Sequence, residues 1–335
     1  MIKLADAVPI KEGGKLFGAA ASRVSTSELN AVFKELQSLL STDFIKMQLT
    51  RSLPTKEDHG DIDILVLGNQ SKNPKKILDF RLGKQMVQYS KNGYTHSVLF
   101  RSNSINKDVH VDFIYVTDKT RFQSHYEYYS YNDFSGIVGI MARRLHFKYG
   151  TGGFQKRCKD IKGNWHDIPI TKNLMKGLEV LGYKNAKANF DEIQGLDDLI
   201  AFVQSSPMLD ASYFAQDELN QSDRKSVRLR RVIDYVVDKI RKSGQRAVIT
   251  DEDYFFKKLM PTEFARTEAM KQKIDKETYI KSKYSGQWLM DKFGLKPGPQ
   301  IGSILKALSD AFGEELAELP EDTVEAEVRN ILAKN

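Results

Sequence analysis

Only one cysteine, Cys158, occurs in the chain, so no intramolecular disulfide can form and a cysteine-based metal site is excluded. That scarcity suits a reducing cytoplasm, the compartment expected here. Histidine is sparse too. His59, His96, His110, His125, His146 and His166 form no HxxxH or HExxH pair, which removes the common zinc-hydrolase patterns. No apolar run approaches the roughly 20 residues of a membrane span. The opening Met1-Ile2-Lys3-Leu4-Ala5-Asp6 lacks the long apolar stretch of a secretory signal. Internal repeats and low-complexity tracts are missing as well.

What is present is ordinary globular composition, 41% hydrophobic and 28% charged over 335 residues, enough for two or three domains. Lysine and arginine number 51 against 44 aspartate and glutamate, a net charge of +7. A solvated lysine-rich surface and a polyanion partner such as nucleic acid account for that excess about equally well.

Helical spacing of Leu29, Val32, Phe33, Leu36, Leu39 and Leu40 predicts a helix over 27–41, with Ser27 as its N-cap. Strands are expected at Phe44–Leu49, Asp61–Leu67, Tyr94–Arg101 and Val109–Val116. Beyond Thr120 the pattern turns helical, with helices expected over Phe134–Tyr149 and Arg224–Lys242 and others toward the C-terminus. The fold class expected is α+β, a small mixed-sheet domain followed by a mostly helical C-terminal half.

The run Gly60-Asp61-Ile62-Asp63-Ile64-Leu65-Val66 carries the chemistry. A strand alternates its faces, so Asp61 and Asp63 share one side and Ile62 and Ile64 the other. Like charges side by side on a half-buried strand repel, and a divalent cation between them is the simplest remedy. Asp61 capping a turn is the plainer alternative. A third carboxylate, Asp112, interrupts the apolar strand Val109-His110-Val111-Asp112-Phe113-Ile114-Tyr115-Val116, where a lone buried aspartate is costly. If the two strands pair, three carboxylates converge, as in a two-metal site.

The stretch Ser52-Leu53-Pro54-Thr55-Lys56-Glu57-Asp58-His59-Gly60-Asp61-Ile62-Asp63 with the later Asp112 resembles the polymerase-β-type nucleotidyltransferase superfamily. The Gly-Asp-Ile-Asp wording and the His-Val-Asp-Phe strand are most similar to the family-X version. The resemblance implies a palm-like catalytic domain in which Asp61 and Asp63 bind both of two Mg²⁺ ions, or Mn²⁺ in their place. Asp112 would bind the catalytic ion. Ser52 would hydrogen-bond the nucleotide triphosphate, with Lys56 as a further phosphate contact and Gly60 in the same turn. Where the family has glycine before the serine, this chain has Arg51, read as a charged phosphate contact or as a surface arginine. A fainter similarity over 126–183 implies nucleotide contacts from Tyr131 and Asn132. Arg143 and Arg144 either meet phosphates or offset a helix dipole.

Three domains are expected: 1–122 catalytic, 123–205 nucleotide-binding and fingers-like, 206–335 helical. Basic residues including Lys225, Arg228 and Arg231 crowd one predicted helix, as phosphate contacts or as an ion-paired solvated face. The Gly294–Gly302 stretch, with Lys296 and Gly298, looks like a short motif near the C-terminus of CCA-adding enzymes and partly like a helix-hairpin-helix turn. Residues 1–43 leave little room for a lyase-type domain before the core. The activity expected is transfer of a nucleotide from an NTP or dNTP to a nucleic-acid 3′-hydroxyl, favouring an RNA or tRNA-type end. A family-X DNA polymerase, nucleotidylylation of a small molecule or protein hydroxyl, and an inactive nucleic-acid-binding module are the competing readings.

Overall fold

The computed structural model describes residues 16–131, 133–229 and 231–334; the side chains of residues 228, 229 and 231 are outside the description. The chain divides into two compact units, residues 1–155 with 171–259, and residues 156–170 with 260–335.

The first unit opens with β1 (Val24–Ser25) and α1 (Thr26–Leu40). Ser25, not Ser27, caps α1: its hydroxyl accepts from the Glu28 amide, and the Glu28 carboxylate accepts from the Ser25 amide at 2.8 Å. β2 (Lys46–Leu49), β3 (Asp58–His59) and β4 (Ile62–Leu67) follow, then α2 (Pro74–Leu82), β5 (Met86–Asn92), β6 (Thr95–Ser102) and β7 (Lys107–Val116). The five-stranded sheet runs β2-β4-β7-β6-β5. β4 and β7 are parallel and every other pair is antiparallel, so the sheet is mixed, within an α+β architecture.

Alternation sorts the two faces of this sheet. Ile62, Ile64 and Val66 with Val111, Phe113 and Tyr115 bury against Val32, Leu36 and Leu40 of α1 and Ile77 and Leu78 of α2. On the other face Leu65, Leu67, Ile114 and Val116 pack on Phe122 of α3 (Lys119–Tyr129), with Tyr126 and Tyr129 alongside. Gly68 ends β4 because Tyr115 lies over it: a Cβ there would stand 2.1 Å from the phenol oxygen, which donates to the Asn69 carbonyl at 2.8 Å.

Past the sheet, α4 (Phe134–Arg144) is buried along most of its length. The expected helix through Tyr149 stops short. His146 adopts φ +54°, and Phe147–Gly150 forms β8, its Phe147 and Tyr149 alternating inward. The unit continues with α5 (Leu174–Val180), α6 (Ala186–Asp191), α7 (Leu196–Gln204), α8 (Gln221–Leu229), α9 (Arg231–Ser243) and α10 (Tyr254–Leu259). α8 and α9 cover the single helix expected over Arg224–Lys242, on either side of residue 230, which is outside the described residues. The apolar stripe of Val232, Ile233, Val236 and Ile240 is buried as its spacing requires.

The second unit holds the hairpin part of β9 (Gly153–Lys159) and β10 (Trp165–Thr171) that falls within 156–170. With it come α11 (Pro261–Lys283), α12 (Gly286–Phe293), α13 (Pro299–Phe312) and α14 (Glu321–Ala333). Tyr284, Leu289, Ile304, Leu308, Leu316, Val324 and Val328 form its core, and Trp288 packs at the margin. Among the described residues no helix is long and apolar enough to cross a membrane.

Candidate active site

Asp63 and Asp112 stand opposite each other in the parallel register of β4 and β7. The pairing on which their convergence depended is therefore present. They share the face covered by α3, one step before Leu65 and Ile114 enter the apolar layer. Asp61 lies just ahead of β4, which begins at Ile62, one residue later than expected. Neighbouring groups register all three carboxylates. His110, 4% exposed, bonds Asp112 Oδ1 through Nε2 at 2.9 Å. Burial alone pushes the His110 imidazole down, but that bond and the charges of Asp112 and Asp61 raise it above its ordinary value. The Tyr129 phenol is pushed up to about 12 by burial, then by Tyr128, Asp63 and Asp112.

A cavity of about 220 Å³ opens beside these strands. Ser52, Lys56, Asp61 and Asp63 line it together with Arg51, Tyr129, His59, and Thr26 and Asn30 of α1. Its wall is held in place by backbone geometry. The Thr50 amide donates to the Asp63 carbonyl at 3.1 Å, and the Lys56 amide closes a turn on Leu53 at 2.8 Å. β3 pairs with β1, setting His59 against Val24 and Asp58 against Ser25, and Arg23 bonds Asp58 at 2.7 Å. The loop is thereby pinned to the first turn of α1, with Gly60 buried between β3 and Asp61.

Lys56 is 5% exposed, and its ammonium makes no hydrogen bond or ion pair among the described residues. A nearly enclosed lysine without a counter-charge is partly desolvated at some cost, and this one lines a cavity where an anion can reach its ammonium. His59, 2% exposed, shares a hydrogen bond with Thr26 Oγ1 at 3.0 Å through Nε2, while Nδ1 has no partner.

Arg51 is tied down. Its guanidinium pairs with Asp191, donates to Tyr126 Oη at 3.0 Å and Tyr131 Oη at 3.4 Å, and lies 5.5 Å from the Tyr126 ring centre. Its backbone joins the same region, accepting from the Tyr131 amide at 2.6 Å. Tyr131 is itself 3% exposed, at φ +55°, with its ring edge-on to Phe190. Asn132 falls outside the described residues. Arg143 pairs with Asp223 and Arg144 with Glu218.

Of the nucleic-acid candidates, Lys225 is exposed on α8 and lines a separate cavity with Arg224, Asp234 and Arg241. Arg228 and Arg231 lie in α8 and α9, with side chains outside the description. Lys296 and Gly298 belong to the second unit, exposed, and Gly298 precedes α13 in extended backbone at φ 167°.

Five polar residues of this site went unmarked in the sequence: His110, His59, Thr26, Asn30 and Tyr129. His110 was the readable one, because His-x-Asp on a strand places both side chains on one face.

The donor set is of the oxygen type that suits a hard divalent cation: Asp63 and Asp112 are register partners on adjacent strands, and Asp61 and Asp63 line the cavity. Among the described residues no group of three or more histidine, cysteine, aspartate or glutamate side chains is placed so as to hold a metal ion.

No family model and no curated protein matches the chain. Among solved structures, the polymerase beta of Leishmania infantum in a ternary gap complex is similar at 14% identity and a TM-score of 0.32. The match covers 40% of this chain, which spans about half, 51%, of that polymerase's length. A likeness so faint leaves the chemistry to the residues themselves.

Proposed function

We propose that this chain is a metal-dependent nucleotidyltransferase of the polymerase-β type, adding nucleotides from an NTP or dNTP to the 3′-hydroxyl of a nucleic acid, with an RNA end favoured. The observation that carries this reading is the cross-strand pairing of Asp63 with Asp112, with Asp61 alongside, at a cavity holding an unpaired buried Lys56.

Each group then has a task. Asp61, Asp63 and Asp112 would be the residues to hold two Mg²⁺ ions, whose chemistry when bound would be to lower the pKa of the acceptor hydroxyl and offset charge on the leaving phosphates. Lys56 meets a phosphate oxygen as a point charge, and Ser52 donates to another from the same wall. His110 holds Asp112 through its 2.9 Å bond, fixing the direction of that carboxylate. Tyr129 covers the carboxylates with a phenol that stays protonated at neutral pH.

The test is incorporation of labelled nucleotide by the purified chain, each NTP and dNTP being offered with tRNA, single-stranded RNA and primed DNA under Mg²⁺ or Mn²⁺. Asp63→Asn and Asp112→Asn should each lower the rate more than about 100-fold while the circular dichroism stays unchanged. Chelation should abolish the activity and added Mg²⁺ restore it. Full activity in either variant would end the two-metal reading.

A further inference from the structure

The hairpin of the second unit alternates strictly. Lys156 and Cys158 on one strand, Asp160 just past its end, and Ile168 and Ile170 on the other strand are buried. Arg266 of α11 donates to the carbonyls of Pro169 and Ile170 on this strand, at 3.1 and 3.3 Å. The opposite face carries Arg157, Lys159, Trp165 and Asp167, and its indole is 48% exposed. Lys159 Nζ lies 4.9 Å and Arg157 Cζ 5.2 Å from the indole centre, and Asp167 holds the guanidinium at 2.8 Å.

The tip displaying this face is closed by hydrogen bonds to one carboxylate. The Asp160 carboxylate accepts from the amides of Lys162 and Asn164, both at 2.9 Å, from the Asn164 side chain at 3.1 Å, His166 at 3.0 Å and Thr278 of α11 at 3.3 Å. Those bonds settle a tight turn, and Trp165 follows it directly. Charge singles out the same element. Residues 156–170 carry four lysine or arginine against two aspartate, while residues 260–335 carry eleven basic against thirteen acidic side chains. The unit is neutral overall, so its one net-positive element is the hairpin, whose basic residues are interleaved with an exposed aromatic.

We propose that this face binds single-stranded nucleic acid, the indole stacking on a base while Arg157, Lys159 and Lys162 meet flanking phosphates. It thus offers the reacting strand of the nucleotidyltransferase a second hold, and in that sense rests on the function proposed above. A base supplies the π-face that an indole needs, and the backbone supplies the anions, both in one ligand.

The experiment measures binding without requiring catalysis. In Trp288→Phe, Trp165 is the one remaining indole, and oligo(U) and oligo(dT) of about 20 nucleotides, long enough for several contacts, should quench its fluorescence. Should that background fail to fold, the difference between wild type and Trp165→Phe gives the same reading. By anisotropy of labelled oligonucleotide, Trp165→Ala should weaken binding roughly tenfold or more, and Trp165→Phe far less. Unquenched fluorescence with unchanged affinity in Trp165→Ala overturns the proposal, as does equal binding of polyglutamate, which has charge but no bases. The two readings part cleanly. A chain that transfers nucleotides yet ignores Trp165 substitution keeps the enzyme and loses this surface. One that shows the quench and the tenfold loss but transfers nothing does the reverse.

Discussion

The Lys56 side chain is nearly enclosed, and its ammonium has no counter-ion among the described residues. Lys56→Met keeps the apolar stem and removes the charge. We expect the variant to unfold at higher denaturant concentration than wild type, because the cost of a partly desolvated, unpaired charge is gone. Its KM for nucleotide should rise roughly ten- to hundredfold, the loss of a charge-assisted phosphate contact. A lower unfolding midpoint, or an unchanged KM, would remove Lys56 from the phosphate-binding role. Glu127 on α3 offers a pH test. Burial pushes its carboxyl above the ordinary range, opposed by the Gln123 hydrogen bond, and Oε2 has no partner. Its proton is therefore held to higher pH when folded than when unfolded. The associated stability is fully present below the unfolded value of about 4.3 and is lost as pH rises through the folded value. Glu127→Gln should raise the melting temperature at pH 7 to 8 and lose that advantage below about pH 4; an equal shift at both pH values would refute it. The aspartates were legible because period-two alternation and a polar residue in an apolar strand are local facts. The isolation of Lys56 was not, since it depends on which side chains from α1 and β3 close the cavity.

At the scale of elements, the clasp of β1, β3 and the first turn of α1 decides the shape of that cavity. The Ser25–Glu28 capping box starts α1, and Lys107 of β7 bonds Glu28 at 2.6 Å, tying the cap to the sheet. Ser25→Ala should lower unfolding free energy by about 1 kcal/mol, read from the urea midpoint. Glu28→Ala in the same background should then cost less than it does in wild type, since the two side chains act as one cap. Strictly additive losses would show that the box is not a unit. β4 and β7 were readable as strands, being rich in β-branched residues and bounded by polar turns. α2, β5 and α3 were not: Phe80 of α2 and Val87 of β5 are apolar yet exposed, while α3 buries polar Ser124, His125 and Glu127 beside Phe122, so no clean apolar period marks these elements. The helix expected through Tyr149 failed for a nearby reason. Phe147 and Tyr149 continue an apolar pattern past His146, but with period two, and a residue in left-handed backbone separates the elements.

Over the whole molecule, charge is distributed by unit, and that distribution orders the nucleic-acid surfaces. The second unit's basic hairpin and slightly acidic helices cancel, so the net +7 rests on residues 1–155 and 171–259. Lys225 belongs to that larger basic unit, yet a basic helix can equally satisfy itself, as Lys242 does with Asp238 at 2.8 Å. Salt dependence distinguishes the two. Each phosphate neutralised releases a counter-ion, so the logarithm of affinity falls linearly with the logarithm of salt concentration. If Lys225 meets a phosphate, Lys225→Gln should reduce the magnitude of that slope by about one and weaken binding evenly across sequences. Trp165→Ala should act differently, weakening binding while leaving the slope nearly unchanged, because stacking releases no ions. Titration of labelled oligonucleotide from 50 to 200 mM salt, the range over which such slopes are steep, reads both. An unaltered slope in Lys225→Gln assigns α8 and α9 to a solvated, ion-paired face and leaves the polyanion contact to other basic residues of the chain.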